Sequence, residues 1–278
     1  DMYYSEQVDG IWQDRKPFEL NTHYNEGGQS ISSDGKYLIF TACERDEGYG
    51  SCDLYWSKRI GDAWSKPRNF GKPVNTQYWE SQPTFSADGK NIIFVSNRPG
   101  GLGGMDLWST QMIEEGVFST PVNLGIPVNT MKNEDYPFLH PNGKTLYFSS
   151  EGHKGMGGKD IFYSELLPDN TWSEPVNLGY PINTYADEMS LVVNAKGDKA
   201  FYSSDRAGGY GKDDLYWFNL PETLRPQSVT YMKGRIFDAK DNTPLEAFFH
   251  VVDLKTGNVV VSSSSDVKTG EFLICIPT

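Results

Sequence analysis

The sequence lacks the features that define several large functional classes. It has no apolar run of about 18 residues, the length at which a stretch becomes a candidate transmembrane helix. Lysine and arginine number 25 against 37 acidic residues, the net charge is −12, and no basic patch is visible to neutralise phosphates. Nucleic acid and anionic membrane surfaces are therefore disfavoured as partners.

Motifs for catalysis and for nucleotide binding are also missing. There is no Gly-x-Ser-x-Gly sequence, and Gly152 and Gly157 have the spacing of a phosphate-binding loop but Gly158 stands where lysine is needed. The few histidines are far apart and have no metal-spaced partners: His23, His140, His153 and His250. His140, next to a turn, is expected to face solvent. The sequence predicts a protein that is not an enzyme, with no cofactor and no metal site.

What is present is a repeat. An Asn-Thr pair begins at positions 21, 75, 129 and 183, and the glycine of a tight turn follows at 35, 89, 143 and 197. Both series have a spacing of 54 residues. A constant period of this size, rich in short strand signals, is typical of radial or stacked repeat architectures.

Each repeat contains four strand signals, named a to d. In the second repeat, strand a covers about 81–86, strand b 91–96, strand c 106–111 and strand d the region near Val117. Four antiparallel strands per period predict one blade of a β-propeller. Complete blades are expected at 21–74, 75–128 and 129–182, with strands c and d of another at 1–20 and strands a to c of a last one at 183–220.

The predicted fold class is therefore all-β, with a five-bladed propeller over residues 1–220 whose first and last blades are incomplete. The missing strands are expected upstream of Asp1, because strands from both ends of a chain can close a ring and remove exposed edges. Residues 221–226, with two prolines, are predicted to be a linker.

The turn sequence and the strand that follows the glycine-rich loop support a family resemblance. Asp34-Gly35 with Asp53-Leu54-Tyr55-Trp56 and Asp88-Gly89 with Asp106-Leu107-Trp108 are two of the four matching pairs. They resemble the TolB-like, WD-type propeller repeats of bacterial envelope proteins. This resemblance covers residues 1 to about 220, and it is specific for the fold and weak for function.

Cysteine is scarce, with three in the chain. Cys43 and Cys52 flank one predicted hairpin, and the equivalent positions of the next repeat are Asn97 and Met105. Facing positions on paired strands can meet the separation that a disulfide needs. A disulfide, two reduced thiols and part of a metal site are all compatible with this placement, and a disulfide would imply an oxidising compartment.

The most regular set of candidate site residues is a series of glutamates, each five residues after the start of an Asn-Thr pair. In a closed ring they should surround one mouth of the central channel and could attract a cation or a basic peptide. Alternatively, each could accept backbone hydrogen bonds and fix one blade to the next. The series consists of Glu26, Glu80, Glu134 and Glu188.

Two further sets of side chains recur near the predicted loops. Aromatic residues beside the glutamates are predicted to lie in the d-to-a loops and to form a binding face with them: Tyr78, Trp79, Tyr136 and Tyr185. Aspartates that open strand c suit either calcium or, more simply, a cap on the preceding loop: Asp53, Asp106, Asp160 and Asp214.

Residues 227–278 contain short alternating strand signals that favour a β-sandwich. Gly234-Arg235-Ile236, Thr243-Pro244-Leu245 and Thr269-Gly270-Glu271-Phe272 resemble a carboxypeptidase regulatory-like domain, a transthyretin-like sandwich, of which only the first part is expected here. No zinc-binding catalytic segment accompanies it.

The order propeller then sandwich resembles the PorE-type envelope lipoproteins of the type IX secretion system. That resemblance implies a periplasmic, outer-membrane-associated scaffold that binds proteins of the secretion machinery, with peptidoglycan bound only through an OmpA-like domain outside this chain. The alternative function is a sensor or gate that holds a ligand or peptide at the channel mouth.

Overall fold

A computed structural model of the protein describes residues 1–277. These residues form short strands and one 3-10 helix, Glu222–Leu224. Strands β1 to β9 are Tyr3–Tyr4, Gln7–Val8, Ile11–Trp12, Lys16–Pro17, Asn25–Ile31, Tyr37–Cys43, Cys52–Ile60, Ala63–Trp64 and Arg68–Asn69. Strands β10 to β18 are Glu80–Phe85, Asn91–Ser96, Asp106–Glu114, Val117–Phe118, Val122–Asn123, Glu134–Leu139, Thr145–Ser150, Asp160–Glu165 and Val176–Asn177. Strands β19 to β25 are Glu188–Val193, Lys199–Ser204, Asp214–Asn219, Val229–Arg235, Phe248–Val252, Val259–Ser264 and Glu271–Pro277.

Four antiparallel sheets follow the 54-residue period. Their strand orders are β5-β6-β7-β8, β10-β11-β12-β13, β15-β16-β17-β18 and β19-β20-β21, and we number the sheets one to four in that order. In each of the first two sheets the predicted outer strand d consists of two short pieces. One piece, β9 or β14, pairs with the middle of strand c, and the other, β8 or β13, pairs with its end. The chain is an all-β protein of the propeller type.

The hydrophobic core lies between neighbouring sheets. One cluster joins Leu54 and Trp56 of sheet one to Phe94 and Trp108 of sheet two. Comparable clusters join sheet two to sheet three and sheet three to sheet four. In sheets two and three, alternating apolar residues on both faces are therefore buried by the sheet before and the sheet after, which is the packing that a propeller requires.

The two ends of the repeat region lack this packing between neighbouring sheets on one face. Leu215 of sheet four is 76% exposed, whereas the residues at its position in sheets one to three, Leu54, Leu107 and Ile161, are fully buried. At the other end, residues 1–20 form only the small ladders β1-β4 and β2-β3, with Met2 buried against Leu38. A side of the ring is therefore open between sheet four and sheet one.

Residues 229–277 form two antiparallel ladders, β22-β25 and β23-β24. Phe249 and Phe272 are in ring contact between them, with centroids 4.7 Å apart. A complete sandwich at this position stays a prediction. The β22-β25 ladder lies against the tight turns of the propeller, where Val229 N donates to Ala195 O at 2.8 Å and Tyr231 borders a cavity beside Gly35.

Candidate functional site

The propeller has two different rims. The turn face carries the tight a-to-b turns that contain Gly35, Gly89, Gly143 and Gly197. The loop face carries the glycine-rich b-to-c loops at 44–51, 97–105, 151–159 and 205–213 together with the crossovers at 70–79, 124–133 and 178–187. The predicted glutamates belong to the loop face, since each lies at or next to the first residue of an inner strand.

All four glutamates are buried, and each is bonded within its own repeat. In the second repeat Glu80 Oε2 accepts Thr76 N–H at 2.7 Å, and Oε1 accepts the hydroxyls of Thr76 and Ser96. The same threonine contacts recur at Glu26, Glu134 and Glu188. These contacts match the structural role that the sequence left open, in which each carboxylate fixes a crossover. The ligand role stays a prediction that none of these contacts supports.

An arginine neutralises three of the four carboxylates. Arg98 Nη2 lies 3.1 Å from Glu80 Oε1, and the corresponding distances are 2.9 Å for Arg45 with Glu26 and 3.0 Å for Arg206 with Glu188. Burial raises the pKa of Glu26, but the hydrogen bonds from Thr22 and Arg45 outweigh burial and the net shift is downward.

Glu134, the glutamate without an arginine partner, has different surroundings. Gly152 occupies the register position of the arginine in the third repeat, and Glu134 has no lysine, arginine or histidine within salt-bridge distance among residues 1–277. His153 Nε2 lies 2.9 Å from Val128 O, the carbonyl equivalent to Val74 O, which accepts a hydrogen bond from Arg98 Nη2 in the second repeat.

The aspartates that open strand c cap the glycine-rich loops. Leu102 N–H donates to Asp106 Oδ2 at 2.5 Å, and Met156 N–H donates to Asp160 Oδ2 at 2.7 Å. Tyr49 with Asp53 and Tyr210 with Asp214 repeat the contact. Within the described residues no three His, Cys, Asp or Glu side chains converge as metal ligands would.

Each glycine-rich loop presents one apolar side chain between two glycines. A Cβ on Gly101, which precedes Leu102, would lie 1.8 Å from the Asp106 carboxylate, and a Cβ on Gly103 would lie 1.9 Å from the Lys132 carbonyl oxygen of the next repeat. Glycine is therefore required on both sides of Leu102, and the residue between projects outward. The four tip residues are Tyr49, Leu102, Met156 and Tyr210, all more than 40% exposed.

The crossovers add further apolar side chains to the same face. Ile126 and Tyr180 occupy one register position, Met131 and Tyr185 occupy another, and all four are at least 75% exposed. Sequence reasoning found only Tyr185 of this group. The signal that could have found the tips is the pattern glycine, apolar residue, glycine at 48–50, 101–103, 155–157 and 209–211.

The predicted aromatic set is not brought together. Tyr78 and Trp79 lie in a crossover as expected, but both are half-buried, and Trp79 packs against the cluster between sheets two and three. The placement of Tyr136 in a d-to-a loop was wrong, because Tyr136 lies inside β15 and lines the central channel. Tyr185 alone projects from the loop face, and its binding role stays a prediction.

Cys43 and Cys52 are directly paired across β6 and β7 and form a disulfide with a Cα–Cα distance of 3.9 Å. This contact closes the base of the first glycine-rich loop. Of the three arrangements compatible with the sequence, the structure has the disulfide.

The expectation that His140 faces solvent was wrong. The imidazole is fully buried, Nε2 lies 3.1 Å from Asn194 O, and Nδ1 accepts Asn142 N–H at 3.2 Å. Burial lowers the pKa of His140. The ring therefore connects the turns of sheets three and four and takes no part in a site.

The central channel is a cavity of 840 Å³ lined by the inner strands β5, β10, β15 and β19. A cavity of this volume lies within the range of roughly 300–1,000 Å³ typical of ligand sites. At its loop-face end it is bordered by Glu26 and Cys43.

Comparisons with known proteins support the fold and not a family. No protein-family model matches the chain, and no curated protein matches its sequence. The chain is similar in structure to TolB from Acinetobacter baumannii, with a TM-score of 0.50 and 12% identity over 92% of this chain and 55% of that one. It thus spans about half the length of that protein.

Two further solved structures show weaker likeness. A putative TolB from Agrobacterium tumefaciens has a TM-score of 0.45 and 16% identity over 92% of this chain and 75% of that one. A thermostable family-43 glycoside hydrolase has a TM-score of 0.47 and 11% identity over 98% of this chain and 91% of that one. The similarity to TolB from Acinetobacter baumannii agrees with the all-β propeller architecture described above. No helix in the described residues is long and apolar enough to cross a membrane.

Proposed function

We propose that the chain is a non-enzymatic scaffold that binds partner proteins through the loop face of its propeller. The observation that carries this proposal is the set of exposed apolar side chains on loops whose backbone is fixed by aspartate caps and by contacts with the next repeat. Apolar and aromatic residues on a rigid support are the usual anchors of protein interfaces. The polar residues that recur in every repeat are, in contrast, occupied by internal hydrogen bonds.

Two neighbouring repeats contribute most of this surface. Leu102 and Ile126 come from the repeat at 75–128, Met131, Met156 and Tyr180 come from the repeat at 129–182, and Tyr185 lies at the start of the last repeat. These six residues define the apolar patch. Single exposed apolar side chains are ordinary, but exposed apolar side chains at equivalent positions of successive repeats favour an interaction site.

The more specific parts of the proposal come from the resemblance to PorE-type lipoproteins. We infer that the scaffold acts in the periplasm at the outer membrane, contacts the type IX secretion machinery, and is connected to peptidoglycan through a domain outside this chain. The disulfide supports an oxidising compartment. A five-bladed ring, followed by a carboxypeptidase regulatory-like sandwich, is the architecture we propose for the intact protein, and the exposed Leu215 supports one further set of strands between sheet four and sheet one.

Recovery of partners with the intact protein tests the proposal. The test variant carries Leu102→Ser, Ile126→Ser, Met156→Ser and Tyr180→Ser, which are surface changes expected to leave the fold intact. A matched control carries Val122→Ser and Leu254→Ser, exposed apolar residues away from the patch. Loss of partners from the test variant alone supports the proposal, and equal recovery by both variants contradicts it.

The second candidate function is a ligand-binding or peptide-binding sensor or gate. The central channel favours it, because inner-strand side chains surround a cavity of 840 Å³. A scaffold needs no occupant in this cavity, whereas a sensor does.

A further inference from the structure

The four inner strands have the same irregularity at the same level of the channel. Each ladder with the neighbouring strand skips two residues, and the first skipped residue has a positive φ between 49° and 57°. These residues are Gly28, Gln82, Tyr136 and Ser190, spaced 54 apart. For a residue other than glycine, this conformation costs on the order of 1 kcal/mol or more. Three of the four repeats accept that cost at a position facing the cavity.

The bulges place polar groups around the channel as a belt. Gln82 Oε1 accepts Tyr136 N–H at 2.7 Å and so supports the next strand. Gln29, Tyr136 and Ser190 line the cavity, and among residues 1–277 none of these three side chains makes a hydrogen bond. The belt therefore offers donors and acceptors to whatever occupies the channel.

The channel continues into an apolar floor on the turn face. A second cavity, of 500 Å³, shares Ile31, Thr84 and Phe138 with the channel and ends at Tyr231 and Leu273. Tyr231 and Leu273 belong to the β22-β25 ladder of the C-terminal segment. The channel thus changes from polar at the belt to apolar at its base.

The C-terminal segment closes this end because it contacts turns of non-adjacent sheets. Cys275 Sγ lies 3.7 Å from Pro141 O of sheet three, and Gly61 N–H of sheet one donates to Asp266 Oδ2 at 3.1 Å. Lys36 Nζ, also of sheet one, donates to Ser264 Oγ at 2.8 Å. A segment held to sheets one and three extends across the channel axis, so entry is from the loop face or from the open side between sheets four and one.

We propose that this one-ended channel binds an extended, uncharged peptide segment whose terminal apolar side chain occupies the floor. Amide and hydroxyl groups of the belt match the donors and acceptors of a peptide backbone, and the floor removes an apolar side chain from water. The carboxylate of Glu26, the charged residue that borders the cavity, is already paired with Arg45. A charged ligand would therefore lose solvation without gaining a counter-ion. An oligosaccharide could use the belt but has no group for the floor.

This inference develops the second candidate function and does not depend on docking at the apolar patch. The test uses the chain of residues 1–278 and a pool of blocked pentapeptides, acetyl-X4-Leu-amide with X drawn from Gly, Ala, Ser, Thr, Asn and Gln. A parallel pool ends in glutamate, and a chitooligosaccharide is the third probe. Binding is followed by shifts of the Tyr136 ring and Gln82 side-chain resonances in NMR spectra and by calorimetry.

The Leu-ended pool is expected to shift the channel resonances, with at least tenfold weaker binding for the Glu-ended pool. Ser190→Trp should block the channel and abolish binding, whereas Tyr185→Ser on the loop face should leave it unchanged. Leu273→Glu serves as a second variant, which should weaken binding of the Leu-ended pool at least tenfold by placing a charge in the floor. The proposal is overturned if no Leu-ended peptide shifts these resonances, if Ser190→Trp binds normally, or if the oligosaccharide alone binds. Tyr185→Ser changes only the apolar patch, and Ser190→Trp changes only the channel. A failure of the channel proposal and a failure of loop-face docking are therefore detected by different variants.

Discussion

The side-chain amide of Asn75 binds both backbone polar groups of Leu54. Asn75 Oδ1 accepts Leu54 N–H and Asn75 Nδ2 donates to Leu54 O, each at 2.9 Å. The same double contact joins Asn129 to Leu107, Asn183 to Ile161 and, at the N-terminus, Asn21 to Met2. Each repeat therefore begins by completing strand c of the preceding one, which explains why the asparagine recurs in all four repeats.

Loss of one such amide should destabilise the protein. Asn129→Ala leaves the buried N–H of Leu107 without a partner, at about 1–3 kcal/mol for one unsatisfied group, whereas Leu107 O keeps the hydrogen bond from Leu124 N–H. We expect the free energy of unfolding in urea to fall by about 1–3 kcal/mol. Asn258→Ala, at an exposed loop residue, should change it by less than about 0.5 kcal/mol. Equal effects of the two changes would contradict the role assigned to the amide.

The loss of stability when a glutamate is substituted should depend on whether that glutamate is paired with an arginine. Glu80→Gln leaves the nearly buried Arg98 without its carboxylate, and removing one partner of a buried ion pair costs about 3–5 kcal/mol. Glu134→Gln removes an acceptor of Thr130 hydrogen bonds but leaves no arginine unpaired, so about 1–2 kcal/mol is expected. Chemical denaturation of both variants measures the difference. A Glu134→Gln variant as unstable as Glu80→Gln would refute the distinction.

Stability should decrease at mildly acidic pH because of His140. Its folded pKa is lowered, so the unfolded chain binds the proton more readily and stability is lost as pH falls through the ordinary histidine pKa of about 6.5. Asp135 acts in the opposite sense, because burial raises its pKa to about 6 and its contribution is lost as pH rises from about 4 to 6. The effect of His140 is therefore measured as a difference between the wild type and His140→Gln. The stability advantage of the wild type should shrink below about pH 6.5, and a pH-independent difference would show that the ring is not buried neutral.

The glycines beside the loop tips should tolerate no side chain. A Cβ at position 103 would lie 1.9 Å from Lys132 O, so Gly103→Ala must displace the loop or the next crossover. We expect a loss of more than about 2 kcal/mol by thermal or urea unfolding. Gly27→Ala is the control, because no atom lies within 4 Å of the added Cβ and its φ is not positive. If Gly103→Ala is as mild as the control, the loop is not fixed as described.

The period, the three inner strands of each repeat and the turn glycines could be predicted from sequence, because these features depend on local alternation and on residues that adopt positive φ. The burial of His140 could not, since it depends on Asn194, a residue 54 positions away. Tyr136 was misplaced because the bulge that turns it into the channel has no glycine to mark it. The tip residues were overlooked because their residue type varies while their glycine neighbours do not.

Docking of partner proteins on the loop face can be tested by in-cell crosslinking of the intact protein. Lys132 and Lys154 are exposed beside Met131 and Met156 on the loop face, whereas Lys90, Lys144 and Lys196 are exposed on the turn face. We predict crosslinks from partner proteins to Lys132 and Lys154, and their loss in the patch variant. Partner crosslinks confined to Lys90, Lys144 and Lys196 would contradict the claim.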